Sequence, residues 1–242
     1  SIFTDFTRES RNIIVISKSK KDTAYIESNK FASPQKIVYI KASTNKSLLK
    51  QINKISQKAI SVFKANEIKE KQKRIKNSIL KTKALDSIGI SLTMSSGYKL
   101  FKKENNNKFW FQRETQKGSV NLLIYTLPLY KKNPNLESII ALRDSIGKAF
   151  VPGRNKDSYL ITEKAYEPYF FKTKVSSLNT FETRGTWEVV NDYMAGPFLN
   201  YYIKDLKNNR TIVIEGFVFS PSVRKREYLV ELEAIVRSLK VF

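Results

Sequence analysis

The sequence of 242 residues is 41% hydrophobic and 12% aromatic, enough to bury a substantial core as one large domain or two small ones and too apolar for a disordered chain. Its 44 Lys and Arg outnumber 22 Asp and Glu, and it has neither Cys nor His, which excludes thiol nucleophiles, disulfides, Cys/His zinc sites and any Ser-His-Asp triad. No run reaches the roughly 18–20 apolar residues that span a bilayer, and no charged-then-apolar leader opens the chain. The sequence is therefore not expected to be a freshly translated secretory precursor, while a mature or trimmed form stays open.

A net charge of +22 invites an anionic partner such as nucleic acid or lipid headgroups. Codon drift in an A/T-rich genome is a plainer source, because Lys, Asn, Ile, Phe and Tyr are abundant while Gly and Pro are scarce. Lys, the poorer bidentate reader of phosphate, also outnumbers Arg heavily. Charge alone decides nothing.

In chain order, Ser1 to Ser10 is polar and reads as loose or as a remnant of an earlier element. Asn12 to Ile16 reads as a strand, Ser17 to Lys30 as charged and turn-like, and Gln35 to Ala42 as a second, alternating strand. Ser43 to Lys83 is the longest helical candidate, capped by Ser47 or Thr44. Its apolar stripe of Leu48, Ile52, Ile55, Ala59, Val62 and Phe63 thins beyond Asn66, where basic residues accumulate. A solvated face is the plain account of those charges, and a docking strip for an acidic partner or phospholipid headgroups the sharper one.

Ser87 to Ser95 reads as a strand, Tyr98 to Lys102 as a short one, and Phe109 to Arg113 as an aromatic one. Aromatics alternating within a strand point to core, although exposed ones could stack nucleobases. Ser119 to Leu127 is a buried strand, and Asn133-Pro134-Asn135 opens a helix that Gly147 can end. Phe150 to Ser158 is a loop, with short strands at Tyr159 to Ile161 and Tyr169 to Lys174.

The C-terminal part is a meander feeding a helix. Arg184 to Asn191 is a strand with Trp187 and Val189 on one face, and Asp192 to Pro197 reads as a break. Phe198 to Leu206 and Thr211 to Phe219 form a hairpin about Lys207 to Arg210. The second of these strands is apolar on both faces, hence central and covered. Ser220-Pro221-Ser222 signals a helix start, after which Leu229, Leu232, Val236 and Leu239 recur every three or four residues. Phe109 to Gly147 and Phe198 to Leu239 share a strand-strand-helix layout, which makes an internal duplication an option.

Several of these stretches come in a familiar order. They are RNIIVI at Arg11 to Ile16, FASPQ at Phe31 to Gln35, GISLTMSSGYKL at Gly89 to Leu100 and FWFQRE at Phe109 to Glu114. LRDSIGKAFVPG at Leu142 to Gly153, SYLITE at Ser158 to Glu163, RGTWEVVNDYMAGPF at Arg184 to Phe198 and the run from Ile214 to Leu239 follow. Together they resemble the domain-of-unknown-function family numbered 4837, a group of lipoproteins from Bacteroidetes. The resemblance implies an exported envelope protein lipidated at an N-terminal Cys. This sequence lacks that Cys, the signal peptide and what resembles an N-terminal portion of the family domain. The family brings no established reaction and so no catalytic residue.

Among the carboxylates, Glu163, Glu167, Glu182, Glu188, Asp192 and Glu215 show no spacing that pairs two for acid-base work or glycoside cleavage, and no phosphate-cradling Gly loop occurs. Asp192 suits a turn cap, Arg184 a structural ion pair or an anion contact, and Arg143, Asp144 and Arg154 a salt-bridge network.

The sequence thus predicts an α+β fold, an antiparallel-rich sheet with helices packed on one side. Residues 1–86 would carry the N-terminal strands and basic helix, and 87–242 the meander-helix region, within one compact domain. The predicted function is a non-catalytic envelope lipoprotein, a binding or scaffold module for another outer-membrane or periplasmic protein. Candidate partner contacts are Lys64, Lys69, Lys71, Lys73, Arg74, Lys76, Arg184 and Asp192. No catalytic residue, metal or cofactor is expected, and the membrane is met only through a lipid anchor absent from this sequence. Anionic lipid headgroups are a further partner class. The alternative is a nucleic-acid-binding protein using the basic helix and the aromatic strand.

Overall fold

The computed structural model describes residues 5–242, in two compact units, Ser1–Lys73 and Arg74–Phe242. In the first unit, α1 (Asp5–Arg8) is a single helical turn inside the stretch expected to be loose; residues 1–4 of that stretch lie outside the described residues. Strands β1 (Asn12–Lys18), β2 (Thr23–Ser28) and β3 (Lys36–Ala42) form a sheet in the order β1-β3-β2, with β1 parallel and β2 antiparallel to β3.

The strand at β2 corrects the turn-like reading of Ser17 to Lys30. Ala24 and Ile26 join Val38 and Ile40 under the following helix, and Tyr25 stacks on Tyr39 at 5.1 Å on the other face. That helix, α2 (Asn45–Ile75), ends earlier than predicted. It is capped by Thr44, whose Oγ1 accepts from Ser47 N while Ser47 Oγ accepts from Thr44 N, both at 3.1 Å. Ile55 and Ala59 seal it onto Val38 and Ile40.

The second unit opens with a 3-10 turn at Asp86–Ile88 and the short β4 (Ile90–Ser91), where a longer strand was predicted. Ile88 and Ile90 are both buried, which mimics a strand's period of two, but Gly89 between them takes φ 56° and folds the chain. Then come β5 (Lys99–Glu104), β6 (Lys108–Thr115), β7 (Gly118–Pro128), α3 (Leu136–Phe150), β8 (Leu160–Thr162), β9 (Tyr169–Val175) and β10 (Leu178–Val189). The chain closes with β11 (Asp192–Asp205), β12 (Arg210–Phe219), α4 (Arg226–Val236) and β13 (Lys240–Val241), the last paired with β4.

Eight strands build one sheet in the order β5-β6-β7-β12-β11-β10-β8, with β9 also on β10, and every pair in it is antiparallel. The α+β, antiparallel-rich class is therefore what the chain adopts.

The helices do not share one side. Along β12, Val213 and Phe217 meet the α3 residues Ile139 and Ile146, whereas Gly216 lies against Leu232 of α4. Successive residues of a strand point to opposite faces, so α3 and α4 cover opposite faces of the sheet. The two strand-strand-helix units are alike only in order. A two-fold exchanging the antiparallel neighbours β7 and β12 would leave both helices on the same face.

Three further expectations change. Asp192 to Pro197 is not a break: it is the first part of β11, and the chain turns at Val190-Asn191 instead. Pro197 is tolerated because pairing of β11 with β12 begins only at Phe198, so Pro197 has just β10 as a neighbour. Ser220-Pro221-Ser222 forms a turn with Ser222 at φ 60°, and α4 starts later, without a side-chain cap. Gly147 does not end α3 but lets it approach β8, since a Cβ there would sit 2.1 Å from Leu160 O.

Buried charge fixes both helices. Under α3, Arg143 Nη2 lies 2.9 Å from Glu215 Oε1 on β12, Asn200 Nδ2 donates to Glu215 Oε2 at 3.0 Å, and the guanidinium stacks on Phe198 at 3.9 Å. Burial pushes the Glu215 carboxyl up, against the pull of Arg143. Under α4, Arg184 bridges Glu182 and Glu233, and Arg237 Nε donates to Glu233 Oε1 at 2.9 Å.

Removing one partner of such a pair strands the other. Arg143→Met is expected to lower unfolding stability by about 3–5 kcal/mol in urea titration, and adding Glu215→Leu to restore most of it. A single variant as stable as the parent would contradict this account of α3.

Candidate functional site

The α3 face of the sheet is not filled to its end. Beyond the rim of α3, Trp110 of β6, Asn121 of β7, Trp187 and Val189 of β10, and Phe217 and Phe219 of β12 floor a cavity of about 180 Å³. Val151 to Arg154, following α3, wall it with Leu160 and Met194. These residues lie far apart in sequence and meet because strands at register offsets of two share a face.

Most of the lining is apolar, with polar groups on one side. Asn121 Oδ1 accepts from Trp110 Nε1 at 3.0 Å and from Gln112 Nε2 at 3.2 Å, and Asn121 Nδ2 donates to Ser119 Oγ at 3.0 Å. Trp187 is buried, and its Nε1 has no acceptor among the described residues. Gly153 leaves no room for a side chain: a Cβ there would sit 2.2 Å from Ser158 Oγ and 2.7 Å from Val189 Cγ1. The backbone of this wall therefore fits tightly against β10.

Arg154 and Asp192 stand at the lip. Arg154 Nε and Nη2 donate to Asp192 Oδ2 and Oδ1 at 2.9 and 2.7 Å, a bidentate pair. Asp192 Oδ1 also accepts from Tyr193 N at 2.8 Å, at the start of β11 and not at the Gly-Pro turn that the sequence suggested it would cap. The Arg154 guanidinium, with that backbone contact, holds the Asp192 carboxyl below its ordinary value. Arg154 keeps 66% of its side chain exposed, so the lip presents a cation oriented by a carboxylate.

The volume decides what such a cup can take. Sites for drug-sized ligands and cofactors occupy about 300–1,000 Å³. A cavity of about 180 Å³ suits one or two apolar side chains of a partner, with the arginine above them.

The other predicted contact residues do not gather here. Arg184 lies between Glu182 and Glu233 beneath α4, the ion-pair role that competed with anion binding in the sequence. Glu182 and Glu233 do converge, but on two arginines, and both carboxylates are buried beneath α4. Lys64, Lys69 and Lys73 are exposed on α2, Lys71 is half-buried there, and Arg74 and Lys76 are exposed in the first residues of the second unit. At about 100° per residue, Lys64 and Lys71 fall on one side of α2 and Lys69 and Lys73 on another, so the run winds round the helix instead of forming one strip.

Phe109 and Phe111 of the aromatic strand are fully buried and Trp110 nearly so, which removes them as stacking platforms for nucleobases. Sequence reasoning took Trp110 for core, placed Trp187 on one face of a strand and put Arg154 in a salt-bridge network with Arg143 and Asp144. Both tryptophans are buried, but Arg154 pairs with Asp192 instead, and none of these readings shows that the three surround one opening.

With the fold and the cup in place, the chain is defined as a mixed α+β protein with a helix on each face of an antiparallel sheet. Residues 76–238, about two thirds of the chain, match the family model described as Domain of unknown function (DUF4837), and the chain belongs to that family. Residues 1–76 match a second model, Domain of unknown function (DUF8532). No curated protein matches in sequence.

Among solved structures, a single-residue mutant of protein Mog1 aligns at TM-score 0.40 and 9% identity, covering 63% of this chain and 90% of that one. The Ran-binding protein Mog1p of Saccharomyces cerevisiae aligns at 0.39 and 10%, with the same coverage. At TM-scores below 0.5 neither defines the fold of this chain.

The lip is open to titration. Because the fold lowers the Asp192 pKa, its stabilising contribution is present above the unfolded value and fades as pH falls through the lowered one. Arg154→Ala is expected to move that pKa up toward the ordinary carboxylate range, read from carboxyl carbon shifts in an NMR pH titration. An unmoved midpoint would mean that the guanidinium does not orient this acid.

Proposed function

We propose that this chain is a non-catalytic binding module of the cell envelope, part of a lipoprotein at the outer membrane, and that it holds another envelope protein through the aromatic cup. The observation that carries the reading is the cup itself, an apolar recess of about 180 Å³ under an exposed, pre-oriented arginine. Recesses of that kind accept a partner's anchor side chain, and Trp and Arg at such positions dominate binding energy.

Two further points support it. Glu182, Glu215 and Glu233, three buried acids of the sheet and α4, are each tied to arginines that hold helices on the sheet. This leaves them as structural groups in the present reading. The family resemblance supplies the envelope setting and the lipid anchor, which would lie outside the given residues. The nucleic-acid alternative loses its stacking half with the burial of Phe109 and Phe111.

The test is recovery of a partner from membranes under mild detergent, with the full-length protein as bait. Wild type is expected to retain a stoichiometric envelope protein. Met194→Arg, which puts a charge into the cup, should lose at least tenfold of it while keeping the parental thermal melt. Recovery of the wild type as a lone soluble monomer would sink the proposal, as would equal retention by the variant.

A further inference from the structure

The first unit carries a second opening, unrelated to the cup. On β1, Ile14 and Ile16 stand in register with Val38 and Ile40, on the sheet face that α2 covers. Yet they are 57% and 56% exposed, because α2 seals β3 and β2 and stops short of β1. On α2, Leu49 and Ile60 are 63% and 61% exposed.

Their spacing places them on the β1 side of the helix. Leu49, Ile60 and Glu67 follow one another at intervals of 11 and 7, within about 20° of a single line along an α-helix. Glu67 fixes where that line runs, since it accepts from Arg11 Nη2 at 2.9 Å, Arg11 Nε at 3.1 Å and Asn12 Nδ2 at 2.6 Å, at the start of β1. At the other end, Ile16 and Leu48 line one cavity of about 400 Å³ with residues 43–45. Helix and strand thus run alongside each other in opposite directions, and four large aliphatics line the trough between them. The outer edge of β1 has no strand neighbour among the described residues.

The rim is basic. Residues 28–66 contain eight lysines and no acid, and Lys46 and Lys50 are exposed on the solvent side of the Leu49–Ile60 line. The unit as a whole holds 16 Lys and Arg against 6 Asp and Glu. A flat bilayer cannot enter a concave corner, and a nucleic acid backbone has no apolar face to lay on Ile14 and Ile16. A second copy would bring an equally basic unit.

We infer that the trough receives an acidic amphipathic helix from a partner protein. Its apolar stripe would lie on Ile14, Ile16, Leu49 and Ile60, and its acidic flank would face Lys46 and Lys50. Seven residues of strand at about 3.3 Å each give a floor of roughly 23 Å, the length of about 15 helical residues. This is helix-in-groove recognition, read as anchors at i, i+3, i+4 and i+7. The trough shares no residue with the aromatic cup, so either can fail without the other.

The experiment places a photo-crosslinking benzoylphenylalanine at position 49 or 60 of the full protein, in the cells that make it, and sequences the adducts by mass spectrometry. Both positions are expected to label one stretch of one other protein, apolar at helical spacing and flanked by Asp or Glu. A synthetic peptide of that stretch should bind the purified protein, with at least tenfold loss on Leu49→Asp or Ile14→Asp and none on Met194→Arg. Because both replaced residues are exposed, far-UV dichroism should stay parental. Adducts on lipid, nucleic acid, a second copy or a non-helical stretch would overturn the inference. So would the absence of any adduct, or a peptide indifferent to the substitutions.

Discussion

Two guanidinium-carboxylate clusters, one buried on each face of the eight-stranded sheet, govern where the helices of the second unit lie. Taking an ion out of water costs several kcal/mol even after relaxation, so each cluster stays folded only with its partners in place. Arg143 serves α3 by reaching Glu215 while lying flat on Phe198, a geometry that a flexible ammonium would not reproduce. Glu233 serves α4 between Arg184 and Arg237. Sliding either helix by one turn would leave a charge facing hydrocarbon. The clusters therefore set position, and the apolar contacts around them supply most of the attraction.

Position matters because the candidate cup begins where α3 ends. Arg143 and Asp144 tie α3 to Thr162 of β8, with Arg143 Nη1 donating to Thr162 Oγ1 and Thr162 N donating to Asp144 Oδ1, both at 2.7 Å. The wall at 151–154 hangs between those two anchored elements. An opening of this size keeps its shape only if its walls do not drift, and here the wall inherits the rigidity of an ion pair and a close glycine contact.

Much of this was legible in the chain. The hairpin of β11 and β12 followed from alternation and from Asn209, which takes φ 50° as its turn requires. The covered centre of the sheet was also legible: Ile212 and Ile214 on one face and Val213 and Phe217 on the other are all buried. That same pattern held the clue that was missed, since a strand apolar on both faces needs two covers and so a helix on each side. Gly196 and Pro197 misled because turn residues also serve where a strand loses one neighbour. A Cβ on Gly196 would meet Val218 O at 2.1 Å. Glu233 could not be placed from sequence, because an acid on a helix is read as solvated until a buried arginine is found facing it. The cup was invisible for a different reason: its residues come from six strands and a loop, and only the register brings them together.

The strand at the centre of the sheet is also the last of the eight to be made. Synthesis runs from the amino end and domains gain structure as they emerge. Residues 210–219 must emerge before β7, finished at Pro128 and already beside β6, finds its second neighbour. Until then the nascent chain holds β7 with a bare edge, bearing Leu122, Leu123, Ile124 and Tyr125 in a row, and the long closure between them is slow to form. A newborn chain thus passes through an interval in which its stickiest ribbon is uncovered. Any chaperone that covers this ribbon would raise the share of chains that reach the native state.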